Sequence, residues 1–436
     1  MNVMFTCGGT GGHINPAIAV ASLLRERKPD SQILFVGGAG GMECSLVPKA
    51  GFQLETLDPR SFRRGFTPKD IWHNLTGAYH TARSLGKARR LIRTFQPDVI
   101  VGTGGYASFP LLKEGARMGV PTCIHESNAV PGLTTRMVAD QMDRILVSFA
   151  ESQSQYKRPE RVQVVGMPVR QEFLYTKKED ARQALGLDER PVIVSAWGSL
   201  GAREMNKVIA EFFRLEQEAG CPYQHIHATG SYGWRWMPDY VKERGVDLPG
   251  CSGLEMVEYL YDMPTWMAAA DLVIGRAGAS TLNEIAASGT PCIIVPSPNV
   301  TDNHQEKNAR VLADRGAAQV IHEADCTGQT LFREAKVLLE DPARCRAMRR
   351  ALLNLAVVDS AERIYGACKA KLTHPGRTFC IGWAKPILGR KERANGIDYC
   401  GGWPATGGKD FCLRSQEQRA APAGGCHFVP GRLFAT

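Results

Sequence analysis

Residues 272–308 read LVIGRAGASTLNEIAASGTPCIIVPSPNVTDNHQEKN, and this stretch decides the fold of the chain. Short apolar runs at 272–274 and 292–295 flank an amphipathic segment that ends at Gly289 and Pro291. This order predicts a strand, a glycine turn, a helix, a second strand and the start of another helix. Such a βαβ unit belongs to a parallel sheet, and ligands bind at the turns after the carboxyl ends of its strands. The stretch therefore predicts an α/β fold with a ligand site at these turns.

The two turns carry residues suited to an anion and a sugar. Gly275, Gly278 and Ser280 lead into one helix, whose first N–H groups have no partner within the helix and can bind an anion. Glu284 follows near the start of that helix, within reach of hydroxyl groups on a ligand held there. One set of residues on adjacent turns predicts a nucleotide-sugar site: Arg276, Gly278, Glu284, Asn303, His304 and Gln305.

Gln305 also has a purely structural interpretation. Asp302 can cap the next helix, and Gln305 stands three residues further on, as in a capping box. For Gln305 taken alone we favour the cap. For the whole set we favour the sugar-nucleotide site.

The composition bounds the class of protein. A chain of 436 residues is long enough for two or three domains. It is 44% apolar and 22% charged, as is ordinary for a globular protein, and no apolar run approaches the ~20 residues that span a bilayer. The N-terminus enters a strand directly, without the pattern of a signal peptide, so we expect a cytoplasmic location.

Cysteine usage and charge exclude other classes. Nine of the 13 cysteines are scattered through the first 370 residues without metal-type spacing, which favours buried, reduced thiols over disulfides. The net charge of +9 is modest for this length and is not clustered as a nucleic-acid stripe would be. An anionic membrane or a phosphorylated ligand is the better partner.

Two glycine turns follow strands in the first half of the chain. GGTGGH, at residues 8–13, follows a strand at 2–7 and precedes a helix predicted from Pro16. GTGGYAS, at residues 102–108, repeats the arrangement after a strand at 98–101. The first turn lacks the third glycine of the dinucleotide fingerprint. Two such turns at one sheet edge predict a shared crevice for a phosphorylated ligand.

Polar side chains accompany these turns. His13 stands before a helix N-terminus, where the helix dipole disfavours its protonated form, so it can cap the turn or act on an acceptor hydroxyl. Asn128 follows a strand at 122–124 and offers a donor and an acceptor. His125 and Glu126 are either ligand contacts or a buried structural pair, and for His125 we favour the structural role.

A long helix is predicted over residues 68–95. Its apolar core stripe is predicted at Ile71, Leu75, Ala78, Ala82 and Leu85. Trp72 and Tyr79 fall to one side of the stripe, among several lysines and arginines, and Phe66 precedes the helix. These aromatic residues are either the rim of the core on a solvated basic face, or a peripheral membrane contact.

A second domain is predicted after a linker at residues 167–170. Arg170 is either a linker charge or a fork for a diphosphate. Strand 191–196 leads into WGSLGAR, where Ser199 and the nearby backbone amides can hold donor phosphates. Residues 344–371 predict a terminal pair of helices that crosses back to the first domain. Residues 373–436, rich in glycine and proline, have no periodicity and predict a disordered tail or a shifted reading frame.

These motifs resemble those of one protein family and occur along the chain in the same order. RAGASTLNEIAASGTPCIIVPSP followed by DNHQEKNA resembles the donor-binding segment of GT-B glycosyltransferases, which have two Rossmann-like domains facing across a cleft. More narrowly, GGTGGHINPA, GTGGYASFP, HESNAVPGLT, and GMPVR leading on to GSLGAR resemble the N-acetylglucosaminyltransferases of bacterial peptidoglycan synthesis. The resemblance covers about residues 1–370. It departs at Trp197, where the family usually has glycine, so a bulky side chain stands next to the phosphate loop.

The resemblance implies an activity and a division of labour. The enzyme would transfer N-acetylglucosamine from UDP-N-acetylglucosamine, with inversion, to the C4 hydroxyl of undecaprenyl-diphosphate-linked muramyl-pentapeptide (lipid I), giving lipid II. Residues 1–166 would bind acceptor and membrane, and residues 167–343 the donor. His13 would be the catalytic residue, and the resemblance implies three further sets. The acceptor set is Thr10, Gly11, Gly12, Gly104, Tyr106 and Glu126; the donor set is Thr10, Gly12, Asn128, Arg170, Ser199, Arg276, Ser280, Thr281, Glu284, His304 and Gln305; the membrane set is Phe66, Trp72 and Tyr79.

The expected partners are the two substrates, the anionic inner leaflet of the plasma membrane and other cell-wall synthesis proteins, with no nucleic acid. No metal or cofactor is expected, because no DxD-like pair follows a strand. Two other functions stay open. A UDP-N-acetylglucosamine 2-epimerase would share the architecture and the donor, and a silent sugar-nucleotide-binding protein would bind the donor without turnover.

Overall fold

The computed structural model describes residues 1–59 and 67–370. Two parallel sheets form the centres of two α/β domains, as the sequence predicts. Phe66 and the tail at 373–436 lie outside the described residues, so the predictions made for them stay predictions.

In the first sheet the strand order changes direction at β1: β2 and β3 lie on one side of it, and β4 to β7 on the other. Its strands run β3-β2-β1-β4-β5-β6-β7, all parallel, so the crevice between β1 and β4 is a topological switch point. The loops after β1 and β4 are the two glycine turns. The strands are β1 Asn2–Thr6, β2 Gln32–Gly38, β3 Gln53–Leu57, β4 Val99–Gly102, β5 Thr122–Glu126, β6 Arg144–Val147 and β7 Val162–Val164.

The helices of the first domain lie on both faces of this sheet, where they bury two apolar clusters. They are α1 Gly11–Arg27, α2 Glu43–Lys49, α3 Pro68–Phe95, α4 Ser108–Arg117 and α5 Leu133–Val138.

The second sheet repeats the plan. Its order is β10-β9-β8-β11-β12-β13, again parallel, with the switch point between β8 and β11. The strands are β8 Val192–Ala196, β9 Gln224–Ala228, β10 Leu254–Val257, β11 Leu272–Gly275, β12 Cys292–Ile294 and β13 Gln319–Val320. The helices are α6 Glu172–Tyr175, α7 Lys178–Ala184, α8 Arg203–Glu218, α9 Met237–Glu243, α10 Met263–Ala269, α11 Ala279–Ser288, α12 His304–Ala313, α13 Gly328–Leu339, α14 Pro342–Leu355 and α15 Ser360–Ala370.

The chain passes twice between the domains. Val165 belongs to the first core and Phe173 to the second, so the first crossing surrounds the predicted linker. On the return, a Cβ at Gly166 would lie 2.4 Å from Val357 Cβ, which shows that the two linkers run side by side. The predicted pair of returning helices is wrong in one respect. Helix α14 stays on the second domain, where Leu352 is buried, and only α15 packs on α1.

Helix α3 has its predicted bounds but not its predicted core stripe. Leu75 is 61% exposed, and Ala78 and Ala82 are exposed as well. The helix instead packs through its C-terminal half, where Ala88 and Ile92 are buried. Sequence periodicity located an apolar face, but Leu75, Ala78 and Ala82 on that face are exposed, and Leu85 is only half-buried.

A buried carboxylate of α4 anchors α3 through one arginine. Glu114 is 1% exposed and accepts a hydrogen bond from Arg89 Nε at 2.8 Å. Arg117 donates to its other oxygen at 3.2 Å. The ion pair fixes the C-terminal half of α3, whereas Trp72, Leu75 and Tyr79 in its N-terminal half are exposed.

The prediction for the cysteines is wrong at one pair. Cys221 and Cys251 form a disulfide between the loops that precede β9 and β10. Free and buried thiols are found, as predicted, at Cys7, Cys123, Cys292, Cys326 and Cys368, whereas Cys44 is exposed and Cys345 is half-buried.

A polar network lies inside the second domain. Ser195 Oγ is 2.7 Å from both His225 Nε2 and His227 Nδ1, and His225 Nδ1 is 2.9 Å from a Glu216 oxygen. His227 Nε2 lies 3.1 Å from the Asn206 side-chain oxygen. All five residues are fully buried, so the network is a structural tie between β8, β9 and α8.

None of the described helices is long and apolar enough to cross a membrane.

Candidate functional site

The two glycine turns of the first domain meet. Gly105 has φ +82°, and a Cβ there would lie 2.1 Å from Gly8 O, an approach that only glycine permits. Thr103 Oγ1 donates to His13 O at 2.6 Å. The shared crevice predicted from the sequence is therefore present at the switch point between β1 and β4.

His13 lies in this crevice. Helix α1 begins at Gly11, earlier than the predicted Pro16, so His13 stands within the first turn rather than before it. Its Nδ1 is 3.1 Å from Gly8 O and 3.4 Å from Thr10 Oγ1. When Nδ1 donates to the Gly8 carbonyl, Nε2 is left as an acceptor. The ring fits against Gly104, where a Cβ would come within 2.8 Å of His13 Cδ2.

Burial favours the neutral form of the imidazole. Burial lowers the pKa of His13, the charge of Glu126 and the bond to Gly8 O raise it, and His304 lowers it further. A neutral ring with a free Nε2 can accept a proton from a hydroxyl group. The geometry fits a base and an acceptor-positioning group equally, so both roles remain predictions.

Glu126 is occupied by its own loop. One oxygen accepts from Asn128 N and Nδ2, both at 3.0 Å, and the other from Gly132 N at 2.9 Å and Thr135 Oγ1 at 2.6 Å. Four donors fill the lone pairs of a carboxylate, which speaks against the predicted contact with acceptor. Glu126 instead positions Asn128. His125 is fully buried with Nε2 2.8 Å from Gly166 O, the structural role that the sequence favours.

The first turn of α1 faces the second domain. A Cβ at Gly12 would lie 3.3 Å from Ser280 Oγ, at the start of α11. Thr10 is exposed beside Gly11 and Gly12, and Tyr106 is 40% exposed at the neighbouring turn. Of the predicted acceptor residues, Gly12 therefore lies next to the donor helix, Gly104 packs against the His13 ring, and the acceptor role of the set stays a prediction.

The second domain brings its own predicted phosphate turn to the same cleft edge. Ser199 is exposed in the loop after β8, and its carbonyl accepts from Ser231 N at 3.2 Å. Helix α11 starts after Gly278, with Ser280 and Thr281 half-buried in its first turn. No side chain caps this N-terminus within the described residues, so its N–H groups can serve a ligand phosphate.

Glu284 and Arg170 form the charged part of the donor side. Burial raises the pKa of Glu284 from 4.5 to about 7, and the cation of Arg170 opposes this shift. Arg170 is exposed, and its guanidinium lies 5.3 Å from the Phe173 ring. Glu284 is a half-buried acceptor whose pKa responds to the charge of Arg170, and an acceptor and a cation on one side of the cleft suit a sugar nucleotide.

Arg276 is held by internal partners, so its predicted contact with donor is not favoured. It pairs with Glu323 Oε2 at 2.6 Å, donates to Val295 O at 3.1 Å, and lies 5.6 Å from the Trp197 ring. Trp197 is 4% exposed and belongs to the core, so it points away from the phosphate loop. The Trp197 side chain therefore packs in the core near Arg276 and does not occupy the phosphate loop.

The capping box predicted at α12 does not form. Asp302 and Asn303 have φ of 56° and 50°, and Asp302 pairs with Arg136 of the first domain instead of capping the helix. Gln305 accepts from Ser297 N at 2.9 Å through its side-chain oxygen. His304 Nδ1 is 2.8 Å from Thr301 O. Tertiary partners have replaced the local cap.

Two residues of the site were missed by sequence reasoning. Asn308 is fully buried and joins the domains: its oxygen accepts from Ala129 N at 2.8 Å, and its amide donates to Asn128 Oδ1 at 3.1 Å and Ala277 O at 3.2 Å. Glu43 is fully buried beneath the first glycine turn. Asn308 ends the quoted stretch 272–308, but its sequence position did not reveal that it contacts the first domain, and Glu43 lies in no motif that the sequence analysis singled out.

No group of three or more histidines, cysteines and carboxylates that could hold a metal occurs in the described parts of the chain.

The fold and the site define a two-domain glycosyltransferase. The family model of the glycosyltransferase family 28 N-terminal domain matches residues 3–147, and that of the family 28 C-terminal domain matches residues 192–364. The chain belongs to glycosyltransferase family 28.

Relatives narrow the similarity to one enzyme. The chain is 39% identical over 374 residues to the UDP-N-acetylglucosamine–N-acetylmuramyl-(pentapeptide) pyrophosphoryl-undecaprenol N-acetylglucosamine transferase of Thermoanaerobacter sp. (strain X514), covering 85% of this chain and 100% of the relative. The enzyme of the same name from Lactococcus lactis subsp. cremoris (strain MG1363) is 35% identical over 369 residues, covering 85% of this chain and 99% of the relative.

Solved structures agree on the fold. The crystal structure of Acinetobacter baumannii MurG superposes with a TM-score of 0.67 at 24% identity, covering 85% of this chain and 99% of that one. The UDP-N-acetylglucosamine 2-epimerase of Neisseria meningitidis superposes with a TM-score of 0.58 at 12% identity, covering 85% and 100%. At these identities the likeness establishes the GT-B fold alone.

Proposed function

We propose that the chain transfers N-acetylglucosamine from UDP-N-acetylglucosamine to the C4 hydroxyl of an undecaprenyl-diphosphate-linked N-acetylmuramyl-pentapeptide, with inversion at the anomeric carbon. The observation that carries the proposal is the approach of the two domains: the first turn of α1, with His13, lies against Ser280 at the start of the donor helix. A base and a donor helix on opposite sides of one narrow cleft suit a single displacement.

The donor would be held by the second domain. Ribose hydroxyls would donate to the ionised Glu284, and the diphosphate would meet Arg170, the Ser199 turn and the free N–H groups of α11. The N–H groups and the Arg170 fork would stabilise negative charge as it gathers on the departing diphosphate. We propose that this replaces a metal ion, and addition of a chelator should then leave the rate unchanged.

The acceptor would be activated in the first domain. His13 Nε2 would take the proton of the C4 hydroxyl while the hydroxyl oxygen attacks the anomeric carbon on the face opposite UDP. The bond from the anomeric carbon to the diphosphate oxygen breaks, and its electron pair leaves with UDP. One displacement of this kind inverts the configuration.

The exposed face of α3 supports a membrane contact. Trp72 is 70% and Tyr79 66% exposed, and Leu75 lies beside them. Spacing of i, i+7, i+11 and i+18 places Trp72, Tyr79, Arg83 and Arg90 on one face, and both arginines are exposed. Aromatic rings with cations on one helix face suit the interface of an anionic bilayer. We propose that this face brings the enzyme to the inner leaflet, where a polyprenyl-linked acceptor resides.

One experiment tests the function. The protein is supplied with UDP-N-acetylglucosamine, with and without the lipid-linked acceptor, while UDP release, epimer formation and disaccharide-lipid are followed. Disaccharide-lipid and UDP formed in equal amounts, and only with acceptor, are expected. Epimer formed without acceptor would replace the proposal by epimerisation, and donor binding without any product would make the protein a silent binder.

A further inference from the structure

Glu43 lies directly beneath the first glycine turn. It is the first residue of α2 and is fully buried. One carboxylate oxygen accepts from Gly38 N at 2.7 Å, and the other accepts from Gly9 N at 3.3 Å. The carboxylate thus ties the end of β2 to the turn that follows β1.

The surrounding glycines leave room for this carboxylate. A Cβ at Gly41 would lie 2.3 Å from Glu43 Oε2, one at Gly37 would lie 2.6 Å from its Cγ, and one at Gly8 would lie 2.7 Å from its Oε1. Three separate positions therefore exclude any side chain from the space that Glu43 fills. The cavity is shaped to one carboxylate.

The held turn is also the turn that orients His13. His13 Nδ1 lies 3.1 Å from Gly8 O. This carbonyl belongs to the same peptide group as the Gly9 N–H, which donates to Glu43. Because Gly105 packs on Gly8 O from the other turn, this carbonyl is fixed from both sides. A fixed Gly8 carbonyl selects the His13 tautomer in which Nε2 is the acceptor.

We propose that Glu43 is a positioning residue of the transfer reaction: from beneath the first glycine turn it fixes Gly8 and Gly9, and through them the orientation and tautomer of His13. The inference rests on the proposed function. Glu43 is fully buried, so it is not available to a substrate and acts through the turn that orients His13.

The charge of Glu43 gives this role a second signature. Burial is the largest influence on the pKa of His13 and lowers it; Glu126 raises it, His304 lowers it, and Glu43 raises it. Removal of the Glu43 charge should therefore lower the pKa of His13 further. Because a base acts when unprotonated, the acid limb of the kcat profile should move to lower pH.

Glu43→Gln is the main variant. It keeps the volume, removes the charge, and can accept from only one of the two N–H groups. We expect kcat on a detergent-soluble short-chain acceptor to fall by about 10- to 100-fold, since misplacement of a catalytic group by ~1 Å can cost this much. The donor KM should stay within about twofold of wild type, because a group that acts only in the transition state leaves ground-state binding unchanged.

Glu114→Gln is the matched control. Glu114 is another buried carboxylate of the first domain, paired with Arg89 and Arg117 rather than with a glycine turn. Its replacement should lower thermal stability while kcat and the acid limb stay at their wild-type values. An equal loss of kcat in both variants would show that general destabilisation, rather than His13, is responsible.

The inference is overturned if Glu43→Gln keeps at least about half of the wild-type kcat, or if its acid limb stays in place. If Glu43→Gln does not fold, Glu43→Asp carries the test, because it keeps the charge but is one methylene too short to reach both N–H groups. Its kcat must then fall with an unshifted acid limb, and a wild-type kcat refutes the inference. Wild-type protein that forms no disaccharide-lipid would refute the proposed function instead.

Discussion

Replacement of Glu284 by glutamine should stabilise the folded protein and weaken donor binding. Burial raises the pKa of Glu284 from 4.5 to about 7 in the folded state, even though Arg170 opposes the shift. A carboxylate held in this way is costly to ionise. We therefore expect ionised Glu284 to lower the stability of the fold while it accepts hydrogen bonds from the ribose of the donor.

The magnitude follows from the shift. About 2.5 pKa units at 1.36 kcal/mol each give roughly 3 kcal/mol at most, less whatever solvent screening removes from a half-buried group. The sign is set by proton binding: between about pH 4.5 and 7 the folded state binds more protons than the unfolded state, so stability falls as pH rises. The contribution of the raised Glu284 pKa to the free energy of unfolding is fully present below pH 4.5 and is lost above about pH 7. Glu284→Gln, which does not titrate, should gain up to about 3 kcal/mol over wild type at pH 8 and nothing below pH 4.5.

Donor binding should change in the opposite direction. Hydrogen bonds to a charged group contribute about 1.5–3 kcal/mol, so Glu284→Ala should raise the donor KM roughly 10- to 100-fold, and Glu284→Gln about tenfold. In wild type the donor KM should rise as pH falls below about 7, because Glu284 is then protonated. In Glu284→Gln this dependence should disappear.

Urea unfolding at pH 5 and pH 8, with donor titrations at saturating acceptor, tests both parts. Glu334→Gln is the control, since hydrogen bonds from Gln319 and Arg333 lower the pKa of Glu334 and its loss should not stabilise the protein. The reasoning fails if Glu284→Gln is no more stable than wild type at pH 8. It also fails if Glu284→Ala depresses kcat while the donor KM is unchanged.

The remaining predictions concern the acceptor side, the membrane and the tail. His13→Ala should lower kcat by about 10²–10⁴-fold with a near-normal donor KM in steady-state assays, and retention of most of kcat would remove His13 from its role. Replacement of Trp72 and Tyr79 by serine should reduce binding to anionic vesicles in sedimentation assays, with near-normal activity on a detergent-soluble acceptor; unchanged vesicle binding would make these residues a solvated rim. Truncation after Leu372 should leave soluble yield and activity intact, because 85% of this chain matches the full length of the Thermoanaerobacter relative, and a large loss of either would show the tail to be structural.

Local patterns determined the elements and much of the site. The run 272–308 reads as strand, turn, helix and strand because periodicity and glycine positions are properties of neighbouring residues. The structure places β11, α11 and β12 there, with Gly289 ending the helix in a left-handed conformation. Two glycine turns after parallel strands had to meet at one edge, and they do.

Faces and partners required the tertiary structure. The apolar stripe of α3 was predicted as core, yet Leu75 is exposed, because periodicity reports that a face is apolar and not what covers it. At α12 the sequence offered a local cap, but Asp302 found Arg136 in the other domain. A local hydrogen bond competes with the bonds that a side chain can form to groups brought near by folding. The local sequence does not show which distant groups these are.

The sequence by itself determined the family, the two parallel sheets and the turns where ligands bind. Only the tertiary structure decided which polar residues serve a ligand and which serve the protein. Glu43 reaches Gly9 across 34 positions, and Asn308 reaches Ala129 across 179. Buried polar groups must find a partner, and that partner is chosen by proximity in space, which no local pattern encodes.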